Sequence, residues 1–193
     1  MGPVRKTRNL HEAGFSLVET VMTLAIGLIL ASVALPMVVS AVQGYRLNGI
    51  AQQTANLIGL TRYSAIRRNT VISLLTTNQA GNTVLYVDLN GNGTLDANEP
   101  LVLLPRDMQI ANGQPLTPPP SSTGLNPTRD FTTQITFDYR GTVNYPGGSP
   151  PAIYFLAIGY TTQTQFGTRA ITVTPMGQTK VWTAPPGSTW KGM

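Results

Sequence analysis

From Phe15 to Val42 the chain reads FSLVETVMTLAIGLILASVALPMVVSAV, an apolar run carrying one charge, Glu19, and no Asn, Gln, Lys or Arg. About 20 helical residues, at about 1.5 Å each, cross a hydrocarbon core of about 30 Å, so the run predicts a membrane-spanning helix. Pro36 lies late in it and removes one helical hydrogen bond, which predicts a kink or local melting near Ser32 to Pro36. Beyond Val42 the helix becomes amphipathic: Leu47, Ile50, Thr54, Leu57, Ile58, Thr61 and Ala65 recur at spacings of three and four, while Gln43, Asn48, Gln52, Gln53 and Asn56 are polar. Arg62, Arg67 and Arg68 suit the negative end of the helix dipole and Asn69 is a stop, so the helix should run to about Arg68 and pack one face of its second half on a sheet.

From Thr70 the pattern turns strand-like: TVISLLTT, TVLYVDL, PLVLLP, TQITFDY, GTVNY, AIYFLAIGY, RAITVTP and QTKVWTA, separated by Gly, Asn and Pro turns. The piece from Gly113 to Pro127, GQPLTPPPSSTGLNP, predicts a loop whose prolines oppose regular pairing. The expected class is therefore α+β, a long N-terminal helix with an antiparallel β domain behind it. The parcels are residues 1–14, an apolar helix at 15–42, an amphipathic stem at 43–69 and a β-rich domain at 70–193.

The polar residues around the apolar run sharpen this. Arg5, Lys6 and Arg8 precede it and only Arg46 follows closely, which by the positive-inside rule puts the N-terminus in the cytoplasm and the bulk of the chain outside. The run is too long for an ordinary secretory signal and is expected to persist as an anchor. Glu19 needs a reason, because a carboxylate inside a bilayer costs about 2.5 to 3.5 kcal/mol and usually marks a partner or a function. The bland alternative is a first helical turn at the membrane interface, where an acid is tolerated.

Gly14-Phe15-Ser16-Leu17-Val18-Glu19, behind a short basic leader and ahead of a hydrophobic run, resembles the class III signal of type IV prepilins and type II secretion pseudopilins. The resemblance implies that a membrane-embedded prepilin peptidase cuts between Gly14 and Phe15 and methylates the new amine of Phe15. It implies that Glu19 pairs with the N-terminal amine of a neighbouring subunit, and pilins similar to this chain carry a proline at the place of Pro36. Three later stretches, LTRYSAIRRNTVISLL, TQITFDYRGTV and RAITVTPMGQTKVW, are similar to blocks of the GspH/FimT family. The implied role is structural: a minor pilin or pseudopilin of a type IV pilus or type II secretion pseudopilus. Its implied partners are other pilin or pseudopilin subunits, the prepilin peptidase and the bacterial inner membrane, and its globular domain is periplasmic, or extracellular in a filament.

Composition acts mainly by exclusion. The chain has no cysteine and a single histidine, His11, which lies in the leader, so the mature chain would lack thiol chemistry, His-ligated zinc and His-dependent triads. A membrane-anchored enzyme is correspondingly disfavoured, and no cofactor is expected. Net charge is +5, and loss of the leader removes three of 13 basic and one of 8 acidic residues, leaving a mild basic bias.

That bias raises the alternative of a FimT-type minor pilin that binds DNA in uptake or adhesion. Relatives of that type use a Gly-Arg-x-Arg motif near the C-terminus, where guanidinium forks suit phosphate. Here the matching positions read Gly177-Gln178-Thr179-Lys180, without either arginine. Arg169, Lys180 and Lys191, with Trp182 and Trp190, remain as a candidate basic and aromatic patch for weak nucleic-acid binding; sheet packing by the tryptophans and ordinary solvated charges compete with that reading.

One further motif stands apart. Residues Asp88 to Glu99, DLNGNGTLDANE, fit the EF-hand calcium-loop pattern, in which Asp88, Asn90, Asn92, Thr94, Asp96 and Glu99 would supply ligands to Ca2+ and Gly93 the sharp turn. The flanks VLYV and PLVLLP read as strands rather than helices and Pro100 follows Glu99 directly, which favours a plain β-hairpin tip.

Overall fold

The computed structural model describes residues 15–110, 127–130, 134–145, 151–185 and 190–193. The chain divides into two compact units, Met1–Ala41 and Val42–Met193.

One helix, α1 (Leu17–Arg68, 52 residues), serves both. Its first part is apolar all round apart from Glu19 and a few hydroxyls, and the hydroxyls bond inside the helix: Thr20 donates to the Ser16 carbonyl, Thr23 to Glu19 and Thr20, Ser32 to Ile29 and Ser40 to Met37. Such back-bonding lets hydroxyls sit in an apolar medium without orphaned donors. The local melting expected at Pro36 does not occur. The helix is continuous through Pro36, whose ring removes the donor for the Ser32 carbonyl but leaves the turns on either side intact.

The helix ends where Asn69 adopts a left-handed φ of 51°. Asn69 N donates to the Ile66 carbonyl and Thr70 N to Ala65, the paired bonds of a Schellman stop.

Within the second unit the strands form two sheets. The first has order β3-β2-β1-β6-β7 and comprises β1 (Ile72–Gln79), β2 (Asn82–Asp88), β3 (Leu101–Leu104), β6 (Gln134–Phe137) and β7 (Val143–Asn144). The second has order β11-β10-β9-β8-β4, with β4 (Met108–Ile110), β8 (Ile153–Tyr160), β9 (Thr168–Val173), β10 (Thr179–Ala184) and β11 (Lys191–Gly192). Pairing is antiparallel except for β5 (Pro127–Asp130), which runs parallel to Ile153–Phe155 of β8. The predicted Gly113–Pro127 loop lies outside the described residues but for Pro127, which opens β5.

The core forms where the buried helix face meets both sheets. Leu47, Ala51, Ile58 and Ala65 of α1 join Ile72, Leu74, Leu85, Leu104 and Phe137 of one sheet and Leu156, Ile158, Ile171 and Val173 of the other in one cluster. Spacings of four and seven put these helix positions on one stripe, and alternation puts the strand positions on one face. Thr54 and Thr61 are fully buried on the same stripe, and their hydroxyls donate to the Ile50 and Leu57 carbonyls at 2.8 Å.

Candidate assembly surface and associated sites

The apolar part of α1 is exposed along its length. Phe15 is 79% exposed, and Leu17, Leu24, Leu28, Ile29, Leu35 and Val38 are all more than half exposed. Among the described residues α1 is the one helix long and apolar enough to cross a membrane, with a mean hydropathy of 2.4 over its best window. Lipid or other apolar helices must cover such a surface, because leaving each large side chain in water forgoes about 1.5 to 3 kcal/mol. Glu19 lies in the first turn of this helix, where the dipole favours an acid. Gly14 lies outside the described residues.

Past the apolar run, polar ties join the stem to the β-rich part of the chain. The Tyr160 hydroxyl donates to Gln43, 2.6 Å from Oε1 and 2.9 Å from the backbone carbonyl. Burial raises the Tyr160 pKa, with Arg46 and Arg169 opposing and Asp107 reinforcing. Arg169 Nε donates to Asn48 Oδ1 at 2.5 Å. Arg46 lies 3.7 Å from Asp107, the one ion pair among the described residues. Arg62 Nε donates to the Gly141 carbonyl at 2.9 Å. Sequence reasoning missed Gln43, Asn48, Tyr160 and Gly141, because each is an ordinary polar or turn residue until the fold brings its partner across from a distant element.

The candidate nucleic-acid residues are split by strand alternation. Arg169 shares the core face of β9 with Ile171 and Val173 and is 8% exposed. Lys180 and Trp182 share the opposite face of β10, where the ammonium sits 4.3 Å from the Trp182 ring centroid and the indole N–H donates to Thr172 Oγ1. Lys191 is exposed on β11, opposite Thr183. Arg169 therefore ties helix to sheet, and it lies on the opposite face from Lys180 and the buried Trp182.

The Asp88–Glu99 segment folds as a tip between β2 and β3 and is organised by its own N–H groups. Asp88 Oδ1 accepts from Gly91 N at 2.7 Å and Oδ2 from Gly93 N at 2.9 Å. Glu99 Oε1 accepts from Leu89 N and Oε2 from Asp96 N. Asp96 Oδ2 accepts from the amides of Asn90 and Asn92, and Thr94 N donates to Asn92 Oδ1. Burial, then the charges of Asp88, Glu99 and Asp96, raise the pKa of Tyr86, whose hydroxyl donates to the Gly93 carbonyl. Gly91 and Gly93 have φ of 75° and 73°, which only glycine adopts at little cost. Among the described residues no group of three His, Cys, Asp or Glu side chains is placed to hold a metal ion, and the carboxylates act as acceptors that close the turn.

A family model described as Type II transport protein GspH matches residues 51–177. A second, described as Prokaryotic N-terminal methylation motif, matches residues 9–35. No curated protein and no solved structure matches the chain.

Proposed function

Because the chain belongs to the GspH family of type II transport proteins, we propose that it is delivered to the inner membrane as a precursor, cut between Gly14 and Phe15 by a prepilin peptidase, and drawn from the bilayer into a filament. It is a structural subunit of the minor pilin and pseudopilin class. The observation that carries the assembly reading is the helix exposed on every side from Leu17 to Val42, continuous with the methylation motif. An apolar surface of that length is satisfied in turn by lipid and by the helices of other subunits.

In this reading the N-terminus faces the cytoplasm and the β-rich domain the periplasm, as the placement of Arg5, Lys6 and Arg8 before the run supports. Cutting after Gly14 removes those cations and leaves one amine, on Phe15, four positions from Glu19. A carboxylate in an apolar bundle is costly unless paired, so Glu19 seeks the Phe15 amine of a neighbouring subunit and sets axial register.

The test is Glu19→Val in a host that assembles the filament. Membrane insertion should be unchanged or improved while incorporation into sheared filaments falls; normal incorporation would show the carboxylate to be incidental.

A further inference from the structure

A cleft of about 450 Å³ opens between the stem and the turn that joins β9 to β10, lined by Gly59, Arg62, Tyr63 and Ile66 of α1 and by residues 177–179. Arg62 is anchored along one edge only. Its Nε donates to the Gly141 carbonyl at 2.9 Å, while Nη1 and Nη2 have neither an acceptor nor a carboxylate partner among the described residues. No acidic side chain lines the cleft. It therefore presents a guanidinium whose outer pair of nitrogens is free to take a second, two-pronged partner.

Gly59 borders the same cleft. A glycine inside a helix is less stable than an alanine there, and a Cβ built on Gly59 would meet nothing within 4 Å, so packing within this chain gives no reason for it. Its missing side chain keeps the cleft open one turn before Arg62. Tyr63, 59% exposed, and Ile66, 45% exposed, add apolar surface on the helix side, and Arg67 lies over the Tyr63 ring. Exposed Met176 stands at the turn beside Gly177. Tyrosine, methionine and arginine are the residue types enriched where proteins meet.

A guanidinium fork is complemented by a carboxylate or a phosphate. A nucleic-acid backbone is tracked by a run of cations, but Gln178 and Thr179 are neutral, and Lys180, next along the chain, is drawn to the Trp182 ring at 4.3 Å. A second copy of this chain has its own carboxylates engaged: Asp88, Asp96, Glu99 and Asp138 accept hydrogen bonds within the chain, and Asp107 pairs with Arg46. We propose that the cleft takes an aspartate or glutamate side chain of a different subunit of the filament. Its two carboxylate oxygens face Nη1 and Nη2 of Arg62, and its apolar neighbours in that subunit rest on Tyr63 and Ile66. The inference deepens the assembly reading and rests on it, adding a subunit contact outside the apolar run.

The experiment uses the full chain in a host that assembles the filament, with incorporation read in sheared filaments and folding from the melting temperature in detergent. Gly59→Glu sets a carboxylate three positions before Arg62, within reach of the fork along the helix, and improves helix propensity. Its incorporation is expected to fall by about tenfold or more, as for loss of a desolvated charge pair, with no drop in melting temperature. Gly59→Ala, which leaves the fork free, should assemble as the wild type does. Full incorporation of Gly59→Glu would overturn the proposal, and so would an equal loss in Gly59→Ala, which needs no competing carboxylate. A photo-crosslinking residue at the exposed Gln178 should join a different subunit at a segment carrying Asp or Glu, and that crosslink should vanish in Gly59→Glu. A crosslink to a second copy, to nucleic acid or to a segment without an acid would overturn the assignment while leaving the assembly reading intact. A wild-type chain absent from sheared filaments would sink the assembly reading and this inference with it.

Discussion

Arg62 Nε donates to the carbonyl oxygen of Gly141 at 2.9 Å, joining the end of the stem to the β6–β7 turn across 79 positions of sequence. Gly177, in the β9–β10 turn, closes over the same side chain. A Cβ built on Gly177 would lie 2.6 Å from the Gly141 oxygen and 2.7 Å from Arg62 Cδ, and its φ is 74°. Helix, first sheet and second sheet thus meet at one guanidinium and two glycines.

Gly177→Ala should therefore destabilise the fold by about 1 to 3 kcal/mol, through steric conflict and a backbone conformation that alanine resists. Thermal unfolding of the full chain in detergent reads this as a lowered midpoint with unchanged helix content. An unchanged midpoint would show that the three-way junction is looser than described.

Asp138 supplies the pH dependence of the same turn. Burial works to raise its pKa, but the Thr142 N–H at 2.9 Å, the Thr142 hydroxyl, the Arg140 N–H and the Arg140 charge together hold it below the usual value. A pKa lower in the folded state than in the unfolded chain stabilises above the unfolded value of about 3.9, and that contribution is lost as pH falls through the folded value. Asp138→Asn should flatten the fall in melting temperature below about pH 4. Parallel acid profiles for the two proteins would contradict the assignment.

The helix and most strands were legible because their signals are local. Spacings of three and four from Leu47 to Ala65 marked the buried stripe, and Asn69 stands at the helix stop with a left-handed φ. Runs such as AIYFLAIGY and RAITVTP became β8 and β9. The division into two sheets was not legible, because the same apolar strands satisfy either partnership until the helix is laid against them. The short β4 and β11 carry too few residues for a period, and β5 starts at a proline, which argues against a strand when read alone. Arg169 was misread as a surface cation for a similar reason: one position of strand register decides whether it faces solvent or Asn48.

The Asp88–Glu99 tip permits a test of its calcium-like pattern. Both oxygens of Asp88 and both of Glu99 already accept N–H groups of the loop, so an ion would have to compete with bonds that close the turn. Calorimetry should find calcium binding no tighter than about 10⁻⁴ M, the range of weak extracellular modules. Asp88→Ala should lower the melting temperature whether or not calcium is present, because it removes acceptors from Gly91 and Gly93. A micromolar affinity abolished by that substitution would establish a true calcium loop.

The mass of the mature N-terminus, after co-expression of the full chain with a prepilin peptidase, tests the account most directly. A peptide beginning at Phe15 and carrying one added methyl group is the predicted result. An intact leader, or a new terminus near Ala41 at the far end of the apolar run, would contradict it.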